Sequence, residues 1–515
     1  MEERRLYGAF FALVLLAISG CATVDFDQPK AASYAAADTG DTWLGQRVAG
    51  LAGGRTGESG FMLLHSGVSA MAVRVSLANR AKRTIDAQYY LVKGDSAGLL
   101  FLNALLNAAD RGVRVRLLID DYLATGQDSG MLALDAHPNF EIRIFNPFAR
   151  RSAFGRNINV LGDFRRLNRR MHNKSFTADN QVTVVGGRNI GSEYFAAHDR
   201  NNFEDLDLLG IGPVVNDVSS MFDRYWNDRI AVPVHHVVRP PGDPETAVSE
   251  LRDKITAGLE DVSAARYQGV VESILERERI QEDQFTWDPY QLVFDPPEFG
   301  DKKKAATVES MVPALQSAIS KSEEEFLLVS PYFVPRRRSL ALFEELRDRG
   351  VAVKVVTNSL ASTNQPLVHS GYGPKRKSLL QMGVEVYEIR PDFEITGVEE
   401  SGVEASAGGL HAKLFIIDRT ELFVGSFNWD PRSARINTEM GIILHSPELA
   451  AGLAERITRN LKPETYQLEL SDTGRLRWTT RIDGEELVYT KEPHTSWWQR
   501  FKVGFYRILP IKEQL

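Results

Sequence analysis

Two short blocks of the chain carry the same set of reactive side chains. The first reads Met171-His172-Asn173-Lys174-Ser175-Phe176-Thr177-Ala178-Asp179 and, after six further residues, Gly186-Gly187-Arg188-Asn189. The second reads Leu410-His411-Ala412-Lys413-Leu414-Phe415-Ile416-Ile417-Asp418 and, again after six, Gly425-Ser426-Phe427-Asn428. Side chains two apart on an extended strand share a face, so each His and Lys should point together. Transfer of a phosphoryl group needs a nucleophile, an acid for the departing oxygen, and positive groups around phosphorus. His172 and His411, Lys174 and Lys413, and the amides of Asn189 and Asn428 supply all of these if they converge. One His-x-Lys alone is ordinarily a surface strand. The whole pattern repeated at one internal spacing is not a chance match. Zinc is the rival use of histidine, yet lysine is not a ligand in such sites and neither block contains cysteine. No metal or other cofactor is implied.

The elements that must position these residues also come in pairs. Ala109-Asp110-Arg111-Gly112 followed by Val113 to Asp120 matches Arg347-Asp348-Arg349-Gly350 followed by Val351 to Val356. Each reads as a helix ending at glycine and running into a buried β-branched strand. Upstream, Ile85 to Tyr90 matches Leu327 to Tyr332 as a second strand. Arg111 and Arg349 stand 238 residues apart, and His172 and His411 stand 239 apart. This spacing predicts a duplicated α/β unit with a parallel or mixed sheet and helices on its faces.

At 515 residues the chain exceeds what one core accommodates, and 43% hydrophobic with 25% charged residues marks it as globular. A net charge of −7 gives no overall attraction to nucleic acid, so any polyanion site must be a local basic patch. The one cysteine, Cys21, excludes an intrachain disulfide. It follows a charged start (Met1 to Arg5), an apolar run (Leu6 to Ile18) too short to span a bilayer comfortably, and Ile18-Ser19-Gly20. The block resembles a bacterial lipoprotein signal, which implies acylation of Cys21. Ala22 in the next position implies sorting to the outer membrane, while the two early glutamates depart from a positive start.

The two reactive blocks resemble the paired His-x-Lys-x4-Asp motifs of the phospholipase D superfamily, and Gly425-Ser426-Phe427-Asn428 its Gly-Ser-x-Asn. Asp163 to Lys174, Gly186 to Gly191, Val368-His369-Ser370-Gly371-Tyr372, Asn428 to Ser433 and Leu509-Pro510-Ile511 look like the cardiolipin synthase C type within it. The likeness runs over about residues 60 to 515. Gly187 stands where the superfamily has serine, a change that type shares. The resemblance implies two fused α-β-α units about a pseudo-twofold axis, with one active site at their interface. It also implies a two-step exchange through a phosphohistidine, with His172 as nucleophile and His411 as acid/base, although the symmetry of the sequence leaves that assignment open. Lys174, Lys413, Asn189 and Asn428 would hold the non-bridging oxygens.

Each histidine needs an orienting carboxylate on its far ring nitrogen. Glu439 fits the superfamily pattern. Seven residues beyond it lies Ser446-Pro447, as Gly212-Pro213 lies seven beyond Asp205, which makes Asp205 the first-half carboxylate with Asp207 as the alternative. Asp179 and Asp418 read as structural. Arg165, Arg166, Arg169 and Arg170 precede His172 and are either a solvated run or a trap for anionic headgroups. Arg169, Arg170, Arg188, His369 and Tyr372 are the candidate substrate contacts.

The chain divides as a signal peptide (1–20), a tether (21–60), a first half (61–238), an inter-half segment (239–305), a second half (306–465) and a C-terminal extension (466–515). The inter-half segment is marked by Arg239-Pro240-Pro241-Gly242-Asp243-Pro244, by Asp295-Pro296-Pro297 and by Lys302-Lys303-Lys304. The closing Trp497 to Arg507 reads first as a helix packing its aromatics on the body, with an interfacial membrane contact as the alternative. The expected function is cardiolipin synthesis by phosphatidyl transfer to phosphatidylglycerol, with phosphatidylethanolamine a candidate donor, on a lipid-anchored, periplasm-facing enzyme. A hydrolase of the same superfamily and a non-catalytic lipid-binding lipoprotein are the rivals.

Overall fold

The computed structural model describes residues 24–124, 126–151, 163–238, 243–277, 282–297, 310–393 and 407–507. Cys21 and the signal segment, Arg239 to Gly242, Lys302 to Lys304 and Leu509 to Ile511 lie outside the described residues.

The first half supplies β1 (Gly60–Leu64), β2 (Thr84–Tyr89), β3 (Arg114–Asp120), β4 (Phe140–Phe145), β5 (Ser175–Ala178) and β6 (Val182–Gly186). It continues with β7 (Asn201–Glu204), β8 (Asp207–Ile211), β9 (Ala231–Pro233) and β10 (Thr286–Trp287). The second supplies β11 (Tyr290–Phe294), β12 (Glu325–Val329), β13 (Ala352–Asn358), β14 (Glu385–Ile389), β15 (Ala407–Leu410) and β16 (Leu414–Ile417). After these come β17 (Glu421–Gly425), β18 (Met440–His445), β19 (Thr465–Leu470), β20 (Leu476–Ile482) and β21 (Glu485–Tyr489).

Among the described residues these form two large mixed sheets. Their orders are β10-β1-β8-β6-β5-β2-β3-β4-β9 and β11-β18-β17-β16-β12-β13-β14-β19-β20-β21. Within them, β8-β6-β5-β2-β3-β4 and β18-β17-β16-β12-β13-β14 are the same six-strand unit. In both, the strand–helix–strand crossovers produce the parallel trio and the hairpin after the His-x-Lys block produces the antiparallel strands. The helices preceding the paired strands, Ser96–Asp110 and Arg337–Asp348, end two residues before a glycine with φ near +87° (Gly112 at 88°, Gly350 at 86°), a conformation β-carbons resist.

Period-two alternation decides which side chains meet between the halves. Leu327 and Val329, Leu414 and Ile416, and Leu422 and Val424 join a core shared with the first half. Their neighbours Phe326 and Leu328, Phe415 and Ile417, and Phe423 turn outward into a second core beneath the helices Met311–Ile319 and Arg337–Asp348. The halves are also stitched by a two-stranded parallel ladder of β7 with β15.

Three stretches sit differently from a simple reading of the segments. Residues 30–35, within the expected tether, are strapped along the first half. Arg143 donates to the Ala31 carbonyl (2.7 Å), Arg116 to that of Ser33 (2.8 Å), and the Ala35 amide to Asp223 (2.8 Å). The inter-half segment is divided between the halves, since β10 closes the first sheet and β11 opens the second. In the C-terminal extension, β19 to β21 extend the second sheet.

The final helix, Trp497–Tyr506, carries a capping box at Ser496 and Gln499. Its aromatics do not pack on the body as first expected. Trp497 is 61% exposed, Trp498 59%, Phe501 52% and Phe505 51%, while Val503 is the buried member. They stack on one another instead, with Trp497 and Phe501 rings 5.2 Å apart.

Candidate active site

Both His-x-Lys pairs lie in the extended segment that leads into a strand, β5 or β16, rather than on the strand itself. Alternation still holds there. His172 and Lys174 face one way, while Asn173 turns back to accept the Thr438 hydroxyl (3.0 Å).

Each lead-in segment is held by the opposite half. The His172 amide donates to the Thr438 carbonyl at 2.9 Å, and the His411 amide to the Glu204 carbonyl at 2.8 Å. The next residue in each case is the carboxylate that meets the ring. Nδ1 of His172 lies 2.8 Å from Glu439 Oε2, and Nδ1 of His411 lies 2.6 Å from Asp205 Oδ2. Of the two carboxylates left open by the sequence, Asp205 reaches a histidine. Asp207 is held by Arg74 (2.8 Å) and Arg188 (3.3 Å). An Nδ1–H that donates to a carboxylate leaves Nε2 with a lone pair, the form a nucleophile or base requires.

Around the rings the site is buried, and two lysines, Lys174 and Lys413, share it with the two carboxylates, Glu439 and Asp205. Lys174 donates to the His172 carbonyl (2.6 Å), and Lys413 to that of His411. Lys413 Nζ also stands 3.2 Å from His411 Nε2. Asn189 donates to the Tyr194 hydroxyl (3.0 Å), but its Oδ1 and that of Asn428 are buried without a partner. Unsatisfied buried amide oxygens are uncommon, and these two, in equivalent positions, are acceptors open to a hydrogen-bond donor. Burial drives the His172 imidazole down to about 4 and His411 to about 3, helped by Lys174 and Lys413 and opposed by their carboxylates. Burial likewise lowers Lys174 to about 7 and Lys413 to about 8. Burial pushes the Asp205 carboxyl up, but His411, Lys413 and Arg188 more than offset this and hold it below the usual range.

Several candidate substrate contacts have other work. Arg170 is buried against Asp120 and the carbonyls of Leu167 and Asn146. Arg188 donates to the carbonyls of Leu64, Tyr194 and Asp205, which fixes the loop carrying Asp205. Both guanidiniums are saturated by the fold, so neither is available to a headgroup. His369 and Tyr372 join a buried cluster with Arg376 and Glu388, which Arg376 extends to Glu492 of the C-terminal extension. Arg169 is half-buried and Arg165 exposed. Asp179 accepts from the amides of Lys82, Arg83 and Thr84, and Asp418 from those of Glu323, Glu324 and Glu325.

The aromatic walls were missed in the sequence. Tyr90 meets His172 edge-on at 5.1 Å, while Tyr194 (5.0 Å), Phe203 (5.5 Å) and Tyr332 (6.3 Å) surround His411. A signal for two of them existed, since Tyr90 and Tyr332 close the two matched strand segments. Tyr194 and Phe203 have no such counterpart pattern. Ser426 was quoted in its motif without a task, and its hydroxyl donates to Glu439 at 2.5 Å.

Comparison with known proteins bears on this geometry. The chain is 39% identical over 477 residues to cardiolipin synthase C of Escherichia coli (strain K12), covering 91% of this chain and 99% of that one. It is 30% identical over 508 residues to an uncharacterised protein of Helicobacter pylori (strain ATCC 700392 / 26695), covering 97% and 99%. Phosphatidylserine synthase of Haemophilus influenzae Rd KW20, at 13% identity, superposes with a TM-score of 0.54 over 82% of this chain and 92% of that one, which shows a shared fold. Residues 75–226 and 315–461 match the family Cardiolipin synthase, PLD-like domain, so each half carries one copy. The chain belongs to that family.

Proposed function

We propose that this protein is a phosphatidyltransferase that makes cardiolipin, moving a phosphatidyl group from a donor phospholipid to phosphatidylglycerol. The observation that carries the reading is the crossed pair of imidazoles, each oriented by a carboxylate of the opposite half and flanked by a buried ammonium. In the first step Nε2 of His172 attacks the donor phosphorus. A P–N bond forms, the P–O bond to the donor's alcohol breaks, and the His411 imidazolium gives that oxygen its proton. The phosphodiester's negative charge favours the protonated form of His411 while substrate is bound. In the second step neutral His411 takes the proton of a phosphatidylglycerol hydroxyl. The hydroxyl oxygen attacks phosphorus, and the P–N bond breaks to free His172. Lys174, Lys413, Asn189 and Asn428 line the position of the non-bridging oxygens.

Two features support work at a membrane. The exposed aromatic face of Trp497–Tyr506, with Arg500 and Lys502 on the same helix, has the composition of an interfacial contact. Acylation at Cys21 would add an anchor on the periplasmic side, most simply at the outer membrane. No described helix is long and apolar enough to cross a membrane.

The test is incubation of purified protein with labelled phosphatidylglycerol, with and without phosphatidylethanolamine, in excess EDTA, followed by separation of the lipids. Labelled cardiolipin is the expected product. Phosphatidic acid alone would make it a hydrolase, and unchanged lipid would make it a binding protein.

A further inference from the structure

A cavity of about 160 Å³ lies behind the loop Ser426–Asp430, on the outer side of the second sheet. The helices Met311–Ile319 and Arg337–Asp348 form its walls with Leu315, Ile319 and Leu342, and the loop contributes Phe427 and Trp429. Alternation along the loop separates two environments. Ser426 turns to Glu439 in the active site, whereas Phe427 and Trp429 turn into the outer core. The cavity is partly open to solvent, and its apolar walls can cover hydrocarbon. Asp430 also borders it, but its carboxylate is spent capping the helix Pro431–Arg435, accepting the Ser433 amide at 2.7 Å.

Three cations border the same cavity. Arg338 and Arg435 are exposed and Arg336 is half-buried, and none of the three has an ion-pair partner among the described residues. Hydrocarbon alone would leave these guanidiniums unused, and free phosphate alone would leave the apolar walls unused. A molecule with an acyl chain and an anionic head satisfies both.

We infer that this cavity is an accessory site for an anionic phospholipid, taking part of one acyl chain between Leu315, Leu342 and Phe427 and the phosphate at Arg336, Arg338 and Arg435. The ligand sits across the loop from the reacting phosphodiester, so it is a second lipid and not the one being transferred. Its chain packs against Phe427, between Ser426 and Asn428, and so steadies the two residues that face the chemistry. The inference rests on the phospholipid reading of the active site.

The probe is dodecyl phosphate, titrated calorimetrically below its micelle concentration into the full chain, with dodecanol and inorganic phosphate as controls. As a monoester it offers no phosphodiester to transfer, so binding is read apart from turnover. The expected result is saturable binding at least tenfold tighter than either control. Arg338→Glu with Arg435→Glu, both at exposed positions, and separately Leu315→Trp, which fills the cavity, should each weaken it at least tenfold. His172→Ala should bind as the parent does. Binding indifferent to the arginine pair, or matched by inorganic phosphate, would overturn the inference. So would loss in His172→Ala with the arginine variant intact, which would place the probe in the catalytic centre. Absence of lipid product in the phosphatidylglycerol assay, with probe binding intact, would instead overturn the enzymatic reading.

Discussion

The two half-sites follow one plan and differ by a coupled exchange. His172 meets a long carboxylate, Glu439, steadied by the Ser426 hydroxyl on the same oxygen. His411 meets a short one, Asp205, and the residue equivalent to Ser426 is Gly187. A β-carbon at Gly187 would fall 2.2 Å from Asp205 Oδ1, so serine and this aspartate cannot both be accommodated as placed. In place of a serine, the Leu206 amide donates to Asp205 Oδ1 at 2.8 Å. What the duplication preserves is the imidazole–carboxylate contact and its crossing between halves. The support behind each carboxylate is free to change, provided the two changes come together.

The largest test of the comparison is to remove either ring. His172→Ala and His411→Ala should each lower cardiolipin formation by on the order of 10³-fold or more while melting cooperatively, because the rings act as one unit. A single variant that keeps most of the parent rate would mean the halves are not one site.

Next in size is the support behind the rings. Asp205→Asn and Glu439→Gln should each lower turnover by about 10- to 100-fold, the usual scale for partners of a working histidine. Gly187→Ala should be about as damaging as Asp205→Asn, because its methyl must displace the carboxylate. Ser426→Ala deletes one hydrogen bond and opens no clash, so roughly tenfold is expected. A loss in Ser426→Ala that exceeds that in Gly187→Ala would refute the coupled exchange.

Smaller again is a paired effect on stability. Asp179 and Asp418 each gather three consecutive amides, and Asp179 is 0% exposed whereas Asp418 is half-buried. Asp179→Ala should cost about 2–3 kcal/mol, the larger of the two, and Asp418→Ala about 1 kcal/mol, since water can replace part of its clamp. Urea unfolding midpoints of the two variants make the measurement. A greater loss at Asp418 would show that burial does not set the difference.

The internal repeat made the fold legible, because a glycine-ended helix, a β-branched strand and a His-x-Lys hairpin recur at almost one spacing. The convergence of His172, His411 and their lysines could be read the same way. What could not be read was contact between residues far apart in sequence. Arg170 and Arg188 lie beside the motifs, which made them plausible headgroup contacts. Whether an arginine is consumed by carbonyls depends on loops folding back, as Leu64 and Tyr194 do around Arg188. The same holds for His369 and Tyr372, since Tyr372 donates to Glu388 on β14 while His369 meets Arg376 and Glu492, the latter more than a hundred residues on. The aromatic helix at the C-terminus showed its composition but not its neighbours, and burial is a property of neighbours.

The smallest effect is on pH dependence, and it probes whether burial treats the two rings alike. Both imidazoles are depressed below their ordinary value of 6.5, His172 to about 4 and His411 to about 3. A depressed histidine binds fewer protons folded than unfolded, so its contribution to stability is complete above pH 6.5 and is lost as pH falls. Between pH 7 and 5 the two rings therefore lower the urea midpoint, while Asp430 and Asp295, raised by burial to about 7 and about 6, oppose that decline. Asp205, depressed like the rings, acts in the same direction as they do but only below the ordinary aspartate value of 3.8, outside this window. Lys174 and Lys413, lowered to about 7 and about 8, add stability as pH rises above that window. The variant lacking both rings should lose less midpoint than the parent over pH 7 to 5, and nitrogen-15 spectra of labelled histidine should show both rings neutral at pH 5.5. If one ring titrates near 6.5, its half of the site is wet in the free protein, and the two halves differ in solvent access as well as in their carboxylates.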